Sequence, residues 1–208
     1  MPMIKAGYFF LACVVIFAVI ISLISYSIAY AHAFELSVRL LALNGFIALS
    51  IAAIMTPFLR EIRSIFNKPF LQIHHSFAAV GLVLITLHPI VLSIQTLNLS
   101  VFLPNFSSVY SFFSAGGRQA LIIIYIAVGF VLIRRKIPKY WRVMHALIYI
   151  ALFFGIIHGN LLGSDFQNSV ISIIYNALFV AVLAAFTIKR VQLYRLKGRI
   201  KQKQRLRK

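Results

Sequence analysis

The chain has 208 residues, of which 62% are hydrophobic and only 12% charged, and its formal net charge is +18. This composition excludes an ordinary soluble domain, and apolar runs near the roughly 20 residues needed to cross about 30 Å of hydrocarbon recur along nearly the whole length. The basic excess does not read as a nucleic-acid footprint: ten of the 21 Lys and Arg lie between Lys189 and Lys208, and most others fall in two short connections.

Six membrane helices are expected, over residues 8–30, 38–59, 71–97, 120–133, 140–162 and 170–188. The first carries the lone Cys13, which excludes an intramolecular disulfide. With Lys5 before it and Ala29-Tyr30-Ala31 after it, this run imitates a secretory signal, but it is longer than the usual stretch of about 7–15 residues and is read as a retained helix. The connection REIRSIFNKPF after the second helix is basic. After the third, residues 95–117 lack acidic side chains and are rich in Phe, Ser and Tyr, so they are expected to hug the membrane interface, with docking of an electron acceptor as the functional alternative. The fourth helix is the shortest. Ser111 to Arg118 is expected to extend it, and Arg134 and Arg135 can snorkel at its other end. The connection RRKIPKYWR is again basic, and the tail 189–208 reads as a basic amphipathic helix on anionic lipid headgroups, with docking of an acidic cytoplasmic partner as the alternative.

Six crossings put Lys5, both basic connections and the tail on one side, leaving only Arg39 and Arg118 opposite. The positive-inside rule makes the crowded side cytoplasmic, so a multi-pass protein of the inner or plasma membrane with both termini inside is expected.

Five of the six histidines lie on two helices: His74, His75 and His88 on the third, His145 and His158 on the fifth. Polar groups in hydrocarbon are costly unless paired, which makes these functional candidates. His74 and His88 are separated by a rise of about 21 Å and return within about 40° of the same face. His145 and His158 have a similar rise of about 19.5 Å but a less favourable angular offset, to be absorbed by rotamers, tilt or a distortion near Gly155. The two helices run in the same direction, so each depth receives one histidine from each. Two such imidazole pairs, stacked across a bilayer, suit bis-histidine ligation of two b-type hemes. His32 reads as an outer-loop residue.

The segment YWRVMHALIYIALFFGIIHG resembles the fifth helix of the ferric-reductase-like transmembrane domain, and TPFLREIRSIF is similar to the TPLRR segment of the heme subunits of bacterial methionine sulfoxide reductase systems. The resemblance spans about Val38 to Ile188, and its specific part is Trp141, His145, His158 and Gly159 with the histidines of the third helix. It implies an all-α integral membrane protein, a six-transmembrane-helix bundle binding two stacked hemes over residues 1–188, followed by the basic tail. It implies His74 with His145 at the inner heme and His88 with His158 at the outer one. His75 would occupy the basic position that often follows the ligand and is the alternative ligand. Two positions depart from the pattern: Ala78 stands where relatives have glycine, and Leu92 where oxygen-reducing relatives have a further histidine, so superoxide production is not expected.

Heme propionates need cationic partners, which makes Arg60, Arg63 and Arg142 inner candidates and Arg39 an outer one, each also readable as a topology determinant or lipid phosphate contact. Phe153 and Phe154 lie between the two depths, as a filler between macrocycles or as helix packing. About twenty residues follow the sixth helix and no G-x-G-x-x-G loop occurs, so FAD and NAD(P)H are not expected on this chain. The expectation is an electron-transfer heme subunit fed by a separate flavoprotein or by quinol and serving an extracytoplasmic reductase acceptor. A terminal ferric or metal reductase is the alternative, and a histidine-lined metal-ion or proton transporter the alternative of another class.

Overall fold

The computed structural model describes residues 2–28 and 33–205, so His32 and the Ala29-Tyr30-Ala31 segment lie outside the described residues. Among the described residues all regular structure is helical. The helices are α1 (Pro2–Ile28), α2 (Ala33–Ile54), α3 (Leu59–Phe66), α4 (Phe70–Thr96), α5 (Val109–Ser114), α6 (Gly116–Leu132), α7 (Trp141–His145), α8 (Ile148–Leu162) and α9 (Ser169–Arg205). Two 3-10 turns, Leu99–Phe102 and Ser164–Gln167, interrupt the loops. Five segments are long and apolar enough to cross a membrane: Ala6–Ile28, Ala33–Ile54, Phe70–Thr96, Trp141–Leu162 and Ser169–Leu196. The apolar α6 is shorter, at 17 residues. Helices are the natural outcome here, because each satisfies its own backbone hydrogen bonds where no water can.

α2 is the central helix, with 56% of its most apolar window buried against 11% for α1. α4 lies closely along α2 because two glycines allow it. A Cβ on Gly45 would stand 2.6 Å from Ile85 Cγ2, and one on Gly81 would stand 2.9 Å from the Leu49 backbone nitrogen. Small residues permit such approach between membrane helices, where dispersion contacts hold the pair. α9 packs on α2 and α8, α6 on α8, and α1 on α2 and α3. Leu49, Ala53, Ile124, Ala151, Leu152 and Val182 form one buried cluster at the centre. A second cluster, around Ile21, Ile47, Ile156 and Tyr175, joins α1, α2, α8 and α9.

The boundaries depart from expectation in four places. The second span stops at Ile54, and the basic connection contains the amphipathic α3, whose Ile62 is buried while Arg60 and Arg63 are exposed. Ser111 to Arg118 does not simply lengthen the fourth span: α5 stops at Ser114, and Ala115 separates it from α6. The fifth span is broken at Ala146 and Leu147, where Leu147 N bonds Met144 O and Tyr149 N bonds Ala146 O, both at 3.1 Å. The tail is helical as expected, but it continues α9 without interruption to Arg205. α4 ends where Leu97, with φ 51°, gives its N–H to Ser93 O, a left-handed cap unusual for a leucine.

Candidate cofactor site: two histidine pairs in stacked cavities

Between α2, α4, α6 and α8 lie two cavities. The one nearer the tail has a volume of about 230 Å³ and is bordered by His74 and His145. The one nearer the long loop has a volume of about 430 Å³ and is bordered by His88 and His158. The cavities share two bordering residues, Leu49 and Ile124, which form the wall between them. Both are lined mostly by aliphatic side chains, which suits a flat apolar cofactor better than a hydrated ion.

Three of the four imidazoles are held by the backbone. His74 Nδ1 lies 3.0 Å from Ala52 O, His88 Nδ1 2.9 Å from Val38 O, and His158 Nδ1 2.6 Å from Ser114 O. A carbonyl only accepts, so each of these nitrogens carries the proton and donates it, which leaves Nε2 with a free lone pair. Metal-bound histidines are ordinarily fixed in this way, and losing such a partner typically costs about 10–100-fold in metal affinity. His145 Nδ1 is buried without a hydrogen bond of ordinary geometry, and the Ala127 carbonyl is its neighbour.

In the tail-side cavity the ring centroids of His74 and His145 are 6.3 Å apart with planes at 82°. The edge-to-face pairing leaves both imidazoles bordering the same cavity. Phe70 stacks on His74 at 5.5 Å and fixes its other face. The break between α7 and α8 serves the same alignment. Thirteen residues of ideal helix finish about 140° short of a whole turn. Each step of 3-10 geometry adds about 20°, so the i→i−3 bonds at residues 146, 147 and 149 bring His145 and His158 closer to one face. The distortion therefore sits immediately after His145 and not at Gly155. In the loop-side cavity, Gly117 gives the His158 ring its place: a Cβ there would stand 2.9 Å from its Cδ2 and 3.1 Å from its Nε2.

The other candidates are distributed differently. His75 is exposed and borders neither cavity, whereas its neighbour His74 borders the tail-side one. Arg142 borders that cavity, and Lys189 and Arg190 stand beside it. Arg60 and Arg63 are exposed on α3 and border neither. Arg39 is committed elsewhere. It is buried, its Nε and Nη2 grip the Asp165 carboxylate, with Nε to Oδ2 at 2.9 Å, and Nη2 also donates to Ser25 O. The cation at the loop-side cavity is instead Arg118, which donates to Leu103 O at 2.6 Å. Sequence reasoning missed Arg118, Lys189 and Arg190, although their positions at span ends were a usable signal. Phe153 and Phe154 border neither cavity. They contact each other, with Phe154 against Phe112 and Phe113 and Phe153 against Phe179. Ala78 borders the tail-side cavity and Leu92 the loop-side one.

Among the described residues no group of three or more His, Cys, Asp or Glu is placed to hold a bare metal ion. Paired imidazoles in cavities lined mostly by apolar side chains suit a group that brings further donors of its own. A scan against protein-family profiles gave no matching family, and neither characterised proteins nor solved structures gave a significant match.

Proposed function

We propose that this chain is the heme-bearing membrane subunit of an oxidoreductase system and a member of the ferric-reductase-like superfamily. Two b-type hemes, when bound, supply one-electron chemistry at iron at two depths and so a path for electrons across the bilayer. The observation that carries this reading is the set of four histidines, paired at two depths beside stacked apolar cavities, with three Nδ1 atoms tied to backbone carbonyls. His74 and His145 would hold one heme and His88 and His158 the other through Nε2. The carbonyl bonds fix tautomer and ring orientation, Leu49 and Ile124 keep the two sites apart, and the aliphatic lining excludes water. Arg142, Lys189 and Arg190 at one end and Arg118 at the other are the cations suited to anionic propionates.

In this reading α6 is the sixth crossing. Its 17 residues rise about 25 Å, near the hydrocarbon thickness, with Arg118 in its first turn and Arg134 just past its end. The basic ends of the spans then face the cytoplasm of an inner or plasma membrane. Electrons would come from a separate flavoprotein or from quinol and leave to an extracytoplasmic reductase acceptor, with membrane lipid as the surrounding partner. Transport of a bare ion has less support, because the ligands come in pairs.

The test is the dithionite-reduced minus oxidised spectrum of detergent-purified protein, with pyridine-hemochrome quantitation. Two b-type hemes per chain are expected, and one is lost in each of His88→Ala and His145→Ala. Protein without heme after expression with adequate heme supply would refute the proposal.

A further inference from the structure

The helices around the two cavities form a ring with one weak side. α4 packs on α2, α2 on α9 and α8, and α8 on α6, but α6 and α4 make at most a marginal contact. Behind that seam lie Leu82, Ile85 and Leu92 of α4 and Leu121, Ile124 and Val128 of α6, each bordering a cavity. Among the described residues one hydrogen bond ties the seam. Thr86 Oγ1 gives its proton to Leu82 O at 2.6 Å, so the Tyr125 hydroxyl, 2.7 Å away, is the donor to Thr86. Tyr125 is 46% exposed on the surface that would face lipid.

Resting on the heme reading, we infer that the α4/α6 seam is the lateral portal through which apolar macrocycles pass between the bilayer and both cavities, with Thr86–Tyr125 as its clasp. The other sides are poorly suited to opening. The α2/α4 side is locked by the Gly45 and Gly81 contacts, and the α6/α8 side by Gly116, whose Cβ would stand 2.9 Å from Phe154 O. A single interhelical hydrogen bond in a membrane is a modest tie. Both cavities border the seam, so one opening serves both.

The full chain, carrying Cys13→Ser, Thr86→Cys and Tyr125→Cys, is made in a heme-deficient host and placed in lipid nanodiscs. The two thiols are bridged with a short bis-methanethiosulfonate, and uptake of added hemin is followed by the Soret band before and after dithiothreitol. Bridged protein is expected to load roughly tenfold more slowly than the same protein after reduction, as binding does when it must wait for a conformational change. In a second experiment Tyr125→Phe, which removes only the clasp hydroxyl, is expected to release hemin to apomyoglobin several-fold faster than the parent. Equal rates in bridged and reduced protein, with hemin bound in both, would overturn the portal and leave the heme reading standing. Failure of the parent chain to take up hemin at all would overturn the heme reading and the portal with it.

Discussion

Gly117→Ala bears most directly on how His158 is held. The added methyl carbon would lie 2.9 Å from Cδ2 and 3.1 Å from Nε2 of that ring, where carbon contacts prefer about 3.5–4.0 Å. The ring must therefore retreat by several tenths of an ångström, but its Nδ1 is held 2.6 Å from Ser114 O. Either that bond breaks, at about 0.5–1.5 kcal/mol, or Nε2 leaves the place where a metal bond tolerates only about ±0.2 Å. On the proposed reading, the loss of this support weakens heme binding in the loop-side cavity by about 10–100-fold. Pyridine-hemochrome quantitation should then give close to one heme per chain after dialysis, with the tail-side heme retained. Gly129→Ala is the matched control: it lies on the same helix, a Cβ there meets nothing within 4 Å, and both hemes should remain. Equal heme content and identical spectra for the two variants would refute this account of the His158 site.

Three further outcomes follow from the geometry. Arg39→Met alone leaves the Asp165 carboxylate buried without its partner and should destabilise the protein by about 3–5 kcal/mol, read as a lower melting temperature in detergent, whereas Arg39→Met with Asp165→Leu should recover most of the loss. Melting of the single variant at the wild-type temperature would contradict this. Gly81→Ala drives a methyl into Leu49 and should cost about 1–3 kcal/mol by thermal unfolding; an unchanged melting curve would mean that α2 and α4 can separate freely. In a Cys13→Ser background, a cysteine at Ser107→Cys should react with a membrane-impermeant maleimide in intact cells or spheroplasts, and one at Lys136→Cys only after permeabilisation. The reverse pattern would invert the proposed orientation.

The four paired histidines were legible in the sequence because a membrane helix is regular enough for spacing to fix depth, and His74 and His88 need nothing more. The fifth helix was harder. Its overwound step falls at Ala146 and Leu147, two good helix formers that carry no breaker signal, while Gly155 drew attention by composition and does not interrupt its helix. α3 did leave a trace, with Leu59, Ile62 and Phe66 at helical spacing among charges, but the segment was read for its cations, as topology determinants and propionate candidates, and not for a helix. Arg39 and Asp165 are 126 residues apart in sequence, and nothing local announces their pairing. Depth alone left Phe153 and Phe154 readable as gap fillers or as helix packing; helix rotation makes them packing residues and brings Leu49 and Ile124 inward.

That aliphatic wall has a consequence for insulation. A membrane held at 100 mV stores about 2.3 kcal/mol for every elementary charge that leaks across it, and a bundle hollowed from both ends is an obvious place for a file of water to form. Leu49 and Ile124, 6% and 4% exposed, offer such a file no hydrogen bond at its narrowest point. On the proposed reading, the same two side chains that border both cavities would also oppose a continuous file of water through the bundle.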